Sequence, residues 1–568
     1  MVSLLKAWYG DYAMKENEYG FQWLPKLGGN ESLTVTIERA KKGEVDGLLV
    51  FGQNIAVTNP NTGWGRTAIR NLKWLVVCDL FENETASVWY ADPNGPKPSE
   101  VQTEVFYLPT NSCLEKDGSV SNTERLMQWH DRIKEAPGEC RSDAWWTYQL
   151  GKRLKAMAEA SGLPRDEGLR SLTWSYDMPQ GKQNEMGLPP IEGDCDLDAV
   201  AYEMNGFDMV TGKPIQGSGE LKSDGTTACG CRLLAGFINE AGENLTKRRD
   251  GGTVDHELDL TYRFAWPTNS RILYNRCSAA PDGKPWSERK KLVWWDEIEQ
   301  KWVGYDKPQF DATKPPSYRP APNAKGGAAL GGAALDGTAA FGAHSDGKAW
   351  LFVPYGIKEG PFPVFYESVE SPYTNTLWST SRVPDVTIID DPMNKVTEPG
   401  DPNFPTVMTT YHMVEHWMSG SMTRTIPWLV GLQPRSFIEI SPELAESIGV
   451  TTGGYVSVRS PRNEIQVRAL VTPRLRIGVI EGRQASIAGR FVCSGYKGIV
   501  CDPITNDLSP ADMAGDGLIP SSKSFVVKID KPDMNKVEKF NEYPVEYPAG
   551  MSEPIPDTPW AAQPEGRN

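Results

Sequence analysis

The first part of the chain alternates apolar runs with polar segments of helical length. Residues 31–46 are helix-like, and the apolar run Gly47–Phe51 follows them and ends at a glycine. A second helical segment is predicted at 67–72, followed by a second apolar run at Trp74–Asp79 and a third at 105–109. Strand–helix–strand units of this length predict a parallel sheet, with ligands bound at the carboxyl ends of its strands.

The pattern changes twice beyond these runs. Residues 110–170 look helical, most clearly at 145–154, and residues 175–400 are irregular and rich in Gly, Pro, Asp and Trp. Within the irregular region, the low-complexity segment 324–342 is typical of a flexible surface connection.

Short β-rich runs begin near residue 404 and surround one well-marked helix. Ser441 is the expected N-cap of this helix, Pro442 its first residue and Gly449 the residue just past its end. The flanking runs at 437–440, 455–459 and 465–471, with a further apolar strand after Lys523, predict a small β-barrel. The fold class is therefore α/β, with a parallel sheet followed by a barrel.

Composition excludes several classes of protein. A length of 568 residues allows three or four domains, and a net charge of −15 disfavours nucleic acid or an anionic membrane surface as a partner. The apolar runs are far shorter than a membrane helix, and the first residues lack the features of a secretory signal. If the protein is exported, another chain must therefore supply the signal.

Cysteine spacing argues against a metal or disulfide framework made by this chain alone. The nine cysteines are scattered, and no two have the C-x2-C spacing. Cys229 and Cys231 form the one tight pair, for which packed thiols are favoured over a metal or redox site.

Two strand ends carry candidate ligand-binding groups. Gly52 permits close backbone approach, and the amides of Gln53 and Asn54 can read a base edge or bind phosphate. Asp79, which follows Cys78 at the end of the second strand, can accept hydrogen bonds from guanine. The alternative is an asparagine in a βα turn and an aspartate that caps a helix. Neither loop is a GxGxxG or a Walker motif, so ordinary dinucleotide or ATP binding is not indicated.

Of the five histidines, only His412 and His416 lie close together. An H-x3-H pair on a helix can bind a metal. However, Thr409, Thr410 and Tyr411 predict a strand end and loop here, which favours a structural or anion-facing role. The residues by themselves offer several ligand-binding loops and no convincing catalytic constellation.

Three ordered blocks resemble the molybdopterin oxidoreductases of the dimethyl-sulfoxide-reductase superfamily. The first contains V-x-C-D-L-F-E-N-E-T-A and F-Y-L-P-T-N-S-C-L-E-K-D-G-S-V-S-N-T-E-R. The second is T-Y-H-M-V-E-H-W-M-S-G-S-M-T-R at 410–424, which is similar to the start of the C-terminal dinucleotide-binding barrel of that superfamily. The third is the closing pair Asn506 in T-N-D-L-S and Lys523 in S-S-K-S-F-V-V.

Further segments narrow the resemblance to the large (alpha) subunit of formate dehydrogenases of the formate dehydrogenase-N type. They are the opening S-L-L-K-A-W-Y-G-D-Y-A-M-K, D-G-T-T-A-C-G-C and W-P-T-N-S-R-I-L-Y-N-R-C. The resemblance implies two molybdopterin guanine dinucleotides (bis-MGD) that hold Mo or W. It also implies that formate is oxidised to CO2 and that the electrons pass to an iron–sulfur chain.

The resemblance also implies a set of cofactor-binding residues, with no catalytic residue and no metal ligand in this chain. In the implied roles, Asp79 and Asp143 bind guanine or ribose donors, Lys116 and Lys523 bind diphosphate or a pterin carbonyl, and Asn506 binds the pterin edge. Lys523 is expected on a rigid strand, pointing into a partly dry cleft, and a solvated turn is the alternative for Lys116. The full set is Gly52, Gln53, Asn54, Cys78, Asp79, Lys116, Asp143, Thr410, Tyr411, His412, Glu415, His416, Trp417, Ser419, Asn506 and Lys523.

Two departures from the family pattern limit this assignment. Position 412 is His where close relatives have Arg, which would weaken a phosphate or pterin contact at neutral pH. Cys493 and Ser494 stand where relatives have His-Trp, and we leave them unassigned.

The resemblance implies four regions. They are a pterin-guanine-dinucleotide-binding α/β domain at 1–180 that lacks its N-terminal part, an irregular region at 181–403, a double-psi type dinucleotide-binding barrel at 404–535 and a Pro-rich tail at 536–568. Since the family's cluster cysteines, metal ligand and substrate arginine precede the matched part, we expect a C-terminal part, either a split subunit or a fragment.

The implied partners are the N-terminal catalytic half with its [4Fe-4S] cluster and an iron–sulfur electron-transfer subunit. A membrane cytochrome subunit is a further candidate, and no nucleic acid is expected. Export to the periplasm with a partner is the expected localisation, with the cytoplasm as the alternative. A non-catalytic pterin-binding module, and another molybdopterin oxidoreductase such as a nitrate reductase, remain as other functions. The choice of metal and the electron acceptor stay open.

Overall fold

The structure, a computed structural model, resolves most but not all of the chain in describable form. The described residues are 1–26, 28–121, 126–247, 264–265, 279–291, 293–304, 312–322, 336–337, 368–374, 386–475, 477–480, 483–491, 495–496, 502–514, 518–520 and 523–541. The chain divides into two units: unit 1 contains Met1–Lys26 and Asn111–Phe352, and unit 2 contains Leu27–Thr110 and Val353–Asn568. The four regions expected from the sequence are continuous segments, whereas each of these two units combines separate segments. The bounds of the four regions therefore stay a prediction.

The regular elements of the described residues follow in chain order. The helices are α1 (Val2–Tyr9), α2 (Leu33–Lys41), α3 (Ile55–Thr58), α4 (Thr62–Ile69), α5 (Asp143–Ser161), α6 (Glu167–Arg170), α7 (Leu197–Asn205), α8 (Pro427–Leu432), α9 (Pro442–Ile448) and α10 (Met534–Asn541). The strands are β1 (Gly47–Phe51), β2 (Trp74–Asp79), β3 (Glu104–Pro109), β4 (Gly118–Ser121), β5 (Leu126–His130), β6 (Phe207–Asp208), β7 (Thr227–Ala228), β8 (Phe264–Ala265), β9 (Val293–Asp296), β10 (Lys301–Gly304), β11 (Thr387–Ile388), β12 (Thr406–Tyr411), β13 (Phe437–Ile440), β14 (Tyr455–Arg459), β15 (Glu464–Val471), β16 (Ile477–Ile480), β17 (Arg483–Phe491), β18 (Asp512–Met513) and β19 (Phe525–Asp530).

The three predicted apolar runs form a parallel sheet in unit 2, with β2 between β1 and β3. The prediction of a parallel sheet is therefore confirmed. The helix predicted at 67–72 is α4, which begins earlier because the Asn61 side chain accepts a hydrogen bond from the Trp64 backbone N–H at 3.3 Å and caps it. Leu75 and Val77 of β2 are fully buried in a core that also contains Ile37 of α2. The carboxyl ends of the three strands thus lie at one edge, in register.

The predicted small barrel is also confirmed in unit 2. Among the described residues, six strands close a ring in the order β12, β19, β14, β15, β13 and β17, and β17 pairs back with β12. The pairs β12–β17 and β13–β15 are parallel, and β16 extends the ring from β17. Met408, Ile438 and Phe525 fill the interior at 0% exposure. Closure pairs the strand edges, which an open sheet would leave exposed.

The helix that follows β13 has the predicted caps. The Ser441 hydroxyl accepts a hydrogen bond from the Leu444 N–H at 3.2 Å, and Pro442 is the first residue of α9. Gly449 ends the helix with φ of +70°, a left-handed conformation that glycine adopts without strain.

The prediction of helix throughout 110–170 is wrong in its first half. The strands β4 and β5 precede the 19-residue helix α5, whose N-cap is Ser142. Met127 and Trp129 of β5 are two residues apart and both buried, against a cluster that includes Phe237. Burial of every second residue is typical of a strand. Packing of these side chains against a distant part of unit 1 therefore decides the conformation, although the local sequence looks helical.

The described residues of 175–400 form short elements and irregular segments, as predicted. The low-complexity segment 324–342 lies outside the described residues except for 336–337, and the Pro-rich tail is described only as far as 541, the end of α10. Within the described part of the chain, none of the helices combines the length and apolar character needed to cross a membrane.

Candidate functional site

The loop after β1 is anchored on one side and open on the other. The Gly52 N–H donates to the Cys78 carbonyl at 2.9 Å, and Gly52 has φ of +60° with open space where a Cβ would stand. Gln53 is exposed, whereas Asn54 is only 4% exposed. The Asn54 amide donates to Glu84 Oε2 at 2.6 Å, and its Oδ1 accepts from the Thr85 hydroxyl at 3.0 Å. The side chain of Asn54 therefore holds the loop in place, and the outward groups are those of Gly52 and Gln53.

Asp79 lies at the end of β2 as a turn-capping carboxylate. It is 7% exposed, and its Oδ1 accepts from the Leu80 N–H at 2.7 Å while its Oδ2 accepts from the Asn83 amide at 2.6 Å. The capping alternative therefore accounts for these two contacts. They also orient the carboxylate, and its role toward guanine stays a prediction. The neighbouring Cys78 is buried in the sheet.

The loop after β12 begins with a closely packed tyrosine. The Tyr411 hydroxyl donates to Glu439, and the Tyr411 ring lies against the backbone of Gly489, where a Cβ would come within 2.4 Å of ring atom Cε1. Thr410 is buried and His412 is exposed. The predicted strand end and loop at this point are confirmed.

His416 holds the same loop from within. It is 4% exposed, its Nε2 lies 2.8 Å from the Gln433 carbonyl, and its Nδ1 lies 3.1 Å from the Thr423 hydroxyl. Because a carbonyl only accepts, the neutral ring carries its proton on Nε2 and accepts at Nδ1. Burial lowers the pKa of His416 below the usual value. Both nitrogens are thus engaged within the chain, which does not fit the metal-binding alternative for the pair with His412.

Along the rest of the loop, exposed side chains are followed by a buried one. Glu415 is half-buried, Trp417 is 65% exposed and Ser419 is 4% exposed. The Ser419 carbonyl accepts a hydrogen bond from Arg424 Nε at 3.1 Å.

The closing pair contacts the elements that flank the two loops. The Asn506 amide donates to the carbonyls of Val57 at 3.1 Å and Thr58 at 3.0 Å, both in α3 just after the first loop. Lys523 Nζ lies 3.3 Å from the Thr410 carbonyl. The expectation that Lys523 lies on a rigid strand and points into a partly dry cleft is wrong, because it precedes β19 by two residues and is exposed.

Two residues of the quoted blocks were missed as site residues. Glu84 is fully buried, and its Oε1 accepts from Arg424 Nη2 at 2.7 Å. The signal for them in the sequence was weak. Glu84 and Arg424 are charged residues inside the quoted blocks, but other residues of those blocks carried the resemblance.

In unit 1, Lys116 and Asp143 pair with each other at 2.8 Å between Nζ and Oδ2. Lys116 is partly buried and borders a cavity of about 100 Å³, so the solvated turn does not describe it fully. Cys229 is buried, with its Sγ 3.4 Å from the Met204 carbonyl, and burial raises the pKa of its thiol, as expected for a packed thiol. Within the described ranges, no group of three or more His, Cys, Asp or Glu side chains is arranged to hold a metal ion.

Comparison with protein families identifies the class of both site-bearing segments. Residues 23–153 match the molybdopterin oxidoreductase family, and residues 406–502 match the molydopterin dinucleotide binding domain. The first match contains the loops after β1 and β2, and the second contains the barrel loop. The chain therefore carries a molydopterin dinucleotide binding domain in a mixed α/β fold.

Relatives among characterised proteins match nearly the whole chain. The formate dehydrogenase-O major subunit of Escherichia coli is 32% identical over 538 residues, 93% of this chain and 50% of that protein. Formate dehydrogenase 2 subunit alpha (cytochrome c-553) of Nitratidesulfovibrio vulgaris is 33% identical over 542 residues, 94% of this chain and 50% of its own length. Formate dehydrogenase subunit alpha of Megalodesulfovibrio gigas is 30% identical over 563 residues, again 93% and 50%. The chain thus spans about half the length of the curated relatives it matches.

A solved structure, the acetylene hydratase from Pelobacter acetylenicus, covers 94% of this chain and 50% of its own with 13% identity. Its TM-score of 0.39 is too low to support any argument about this chain.

Proposed function

We propose that this chain is the cofactor-binding portion of a formate dehydrogenase large subunit that depends on molybdopterin guanine dinucleotide. Several relatives over 93–94% of the chain carry the name formate dehydrogenase, and both family segments belong to molybdopterin proteins. The activity, the substrate and the partners are proposed for an assembly that also supplies the remaining half of the relatives' length.

One observation carries the proposal: segments predicted separately from the sequence are linked by direct contacts within unit 2. Asn54 and Arg424 meet on Glu84, which connects the loop after β1 with the loop after β12. Asn506 binds the carbonyls of α3, and Lys523 binds the Thr410 carbonyl. Segments up to about 450 residues apart in the chain thus converge. A ligand site predicted from strand ends requires such convergence.

The chemistry of these groups fits a pterin guanine dinucleotide. Lys523 is an exposed cation suited to diphosphate, and the oriented carboxylate of Asp79 suits the donors of a guanine. The open glycine loop at Gly52 permits close approach of a ligand to backbone. The 412–419 loop of unit 2 is assigned to the same dinucleotide, and the role of Lys116 and Asp143 of unit 1 toward a cofactor rests on the resemblance alone.

When bound, the cofactor with Mo or W supplies the redox centre for removal of two electrons and a proton from formate, which leaves CO2. The residues of this chain bind and orient that centre, and we assign none of them to the chemical step. We assign a [4Fe-4S] cluster and an iron–sulfur subunit to the rest of the assembly, and these would carry the electrons away. A membrane cytochrome partner and a periplasmic location are part of this proposal. We also assign the barrel to the double-psi type, which its two parallel strand pairs support.

Purification of the protein with its native assembly tests the proposal. We expect Mo or W by elemental mass spectrometry, GMP released by acid hydrolysis and formate-dependent reduction of a viologen dye. Absence of both metal and GMP would refute cofactor binding. Bound cofactor with nitrate reduction but no formate oxidation would refute the substrate. A metal-loaded complete assembly that neither oxidises formate nor reduces nitrate would leave a non-catalytic binding module.

A further inference from the structure

The buried ion pair of Glu84 and Arg424 lies between the two loops of the candidate site. Glu84 is 0% exposed and Arg424 4%, and Glu84 Oε1 is 2.7 Å from Arg424 Nη2. A fully desolvated pair gains little net stability, because the loss of hydration offsets most of the attraction. Its location therefore needs an explanation other than stability of the fold.

Two further hydrogen bonds of this pair reach the loops themselves. Glu84 Oε2 accepts from the Asn54 amide at 2.6 Å, which fixes the loop after β1. Arg424 Nε donates to the Ser419 carbonyl at 3.1 Å, which fixes the far end of the loop after β12. The two loops belong to different family segments, so the pair is a direct polar link between those segments.

A third segment covers the pair. A Cβ on Gly495 would lie 2.1 Å from Glu84 Oε1 and 2.6 Å from Arg424 Nη2, so the backbone at this position passes directly over the charges. The adjacent Tyr496 hydroxyl donates to the Glu84 carbonyl at 3.5 Å. Enclosure by backbone makes the geometry of the pair stiff, since water cannot enter to replace either hydrogen bond.

We infer that Glu84 and Arg424 are positioning residues that set the spacing between the two dinucleotide-binding loops, an inference that rests on the proposed function. In this inference neither side chain is assigned a contact with the cofactor. Each acts through a loop, by holding Asn54 or Ser419. A displacement of about 1 Å in a site of this kind costs roughly 100-fold in function.

The test compares Glu84→Gln with a matched buried carboxylate, Asp92→Asn. The Asp92 side chain is 4% exposed and also pairs with arginines, at 2.8 Å to Arg66 Nε and with Arg70, and its partners in the described residues include none of the predicted cofactor residues. Both variants should lower the thermal midpoint of the purified holoprotein. We expect only Glu84→Gln to release metal and GMP about 10- to 100-fold faster during dilution and gel filtration.

A double variant separates positioning from stability. Replacement of a buried pair by uncharged side chains often restores stability, so Glu84→Gln with Arg424→Met should recover most of the thermal midpoint. If the pair sets the loop spacing, cofactor release stays fast in this double variant. Recovery of wild-type retention in the double variant, or equally fast release from Asp92→Asn, would overturn the inference while the proposed function stands. Wild-type protein that holds no pterin would instead refute the proposed function.

Discussion

Reversal of the charge at Lys523 probes the diphosphate assignment most directly. Lys523 Nζ is 3.3 Å from the Thr410 carbonyl, which places a cation at the mouth of the loop after β12. A phosphate about 4 Å from this nitrogen gains about 1 kcal/mol in water-like surroundings and about 4 kcal/mol in a partly buried site. Because Lys523 is exposed, the lower figure applies. Lys523→Glu converts the attraction into a repulsion, so retention should weaken by about 2 kcal/mol, or roughly 30-fold.

Lys528 is the matched control for this experiment. It lies in β19, its side chain is 41% exposed, and it pairs with Asp530 at 2.9 Å. We expect Lys528→Glu to keep its cofactor, and the metal-free forms of both variants to unfold at nearly the wild-type temperature. Metal content and released GMP after dialysis are the readouts, and the defect of Lys523→Glu should shrink in high salt. Equal loss from both variants would show a general effect of net charge and refute the assignment.

Three further predictions concern other carboxylates and a histidine. Asp79→Ala removes a charge-assisted contact worth about 1.5–3 kcal/mol, so GMP retention should fall roughly 10- to 150-fold, whereas unchanged retention after dialysis would refute the guanine role. Since burial lowers the folded pKa of His416, the unfolded chain binds more protons below about pH 6.5, and stability should fall from there as pH drops; His416→Gln should flatten this dependence in urea unfolding. Burial raises the pKa of Asp194 to about 6, so the folded form holds a proton that the unfolded form loses, and stability falls as pH rises from about 4 to 6. Asp194→Asn should therefore add about 1–2 kcal/mol at pH 8, after allowance for its partial exposure, and a stability gain of the same size at pH 3 would contradict this reasoning.

The parts of the fold that followed from sequence are those with strong local signals. The helix α9 has a serine cap, a proline in its first turn and a terminal glycine. Each of these residues affects only the backbone a few residues away, so its effect can be predicted from the local sequence. The strands β1 and β2 are continuous apolar runs, as expected for strands of a parallel sheet. Strand β5 was missed because its signal is not local: the burial of Met127 and Trp129 depends on Phe237, about a hundred residues later in the chain.

The site shows the same division between local and distant information. Motifs located the loops at Gly52, Asp79 and Thr410, since a strand end is visible in the sequence. What each side chain does there could not be read in the same way. Asn54 binds Glu84 rather than facing outward, and the partner that makes this possible, Arg424, lies 340 residues from Glu84. Long-range ion pairs have no periodic signature, so a buried pair escapes any analysis of spacing.

The charges at the predicted site favour Lys523 over Lys116 as the group that neutralises diphosphate. Lys116 is 2.8 Å from Asp143, so the two form a pair with no net charge, and Asp143 is itself one of the predicted ligands. Lys523 donates to a neutral carbonyl, and its positive charge therefore stays available to an anion. In a protein of net charge −15, a diphosphate needs such a local cation, because the field of the whole chain is repulsive. We therefore expect neutralisation of Lys523 to weaken cofactor retention in low salt more than neutralisation of Lys116, because the charge of Lys116 is already offset by Asp143. A larger loss on neutralisation of Lys116, measured as metal and GMP retained after dialysis, would contradict this assignment.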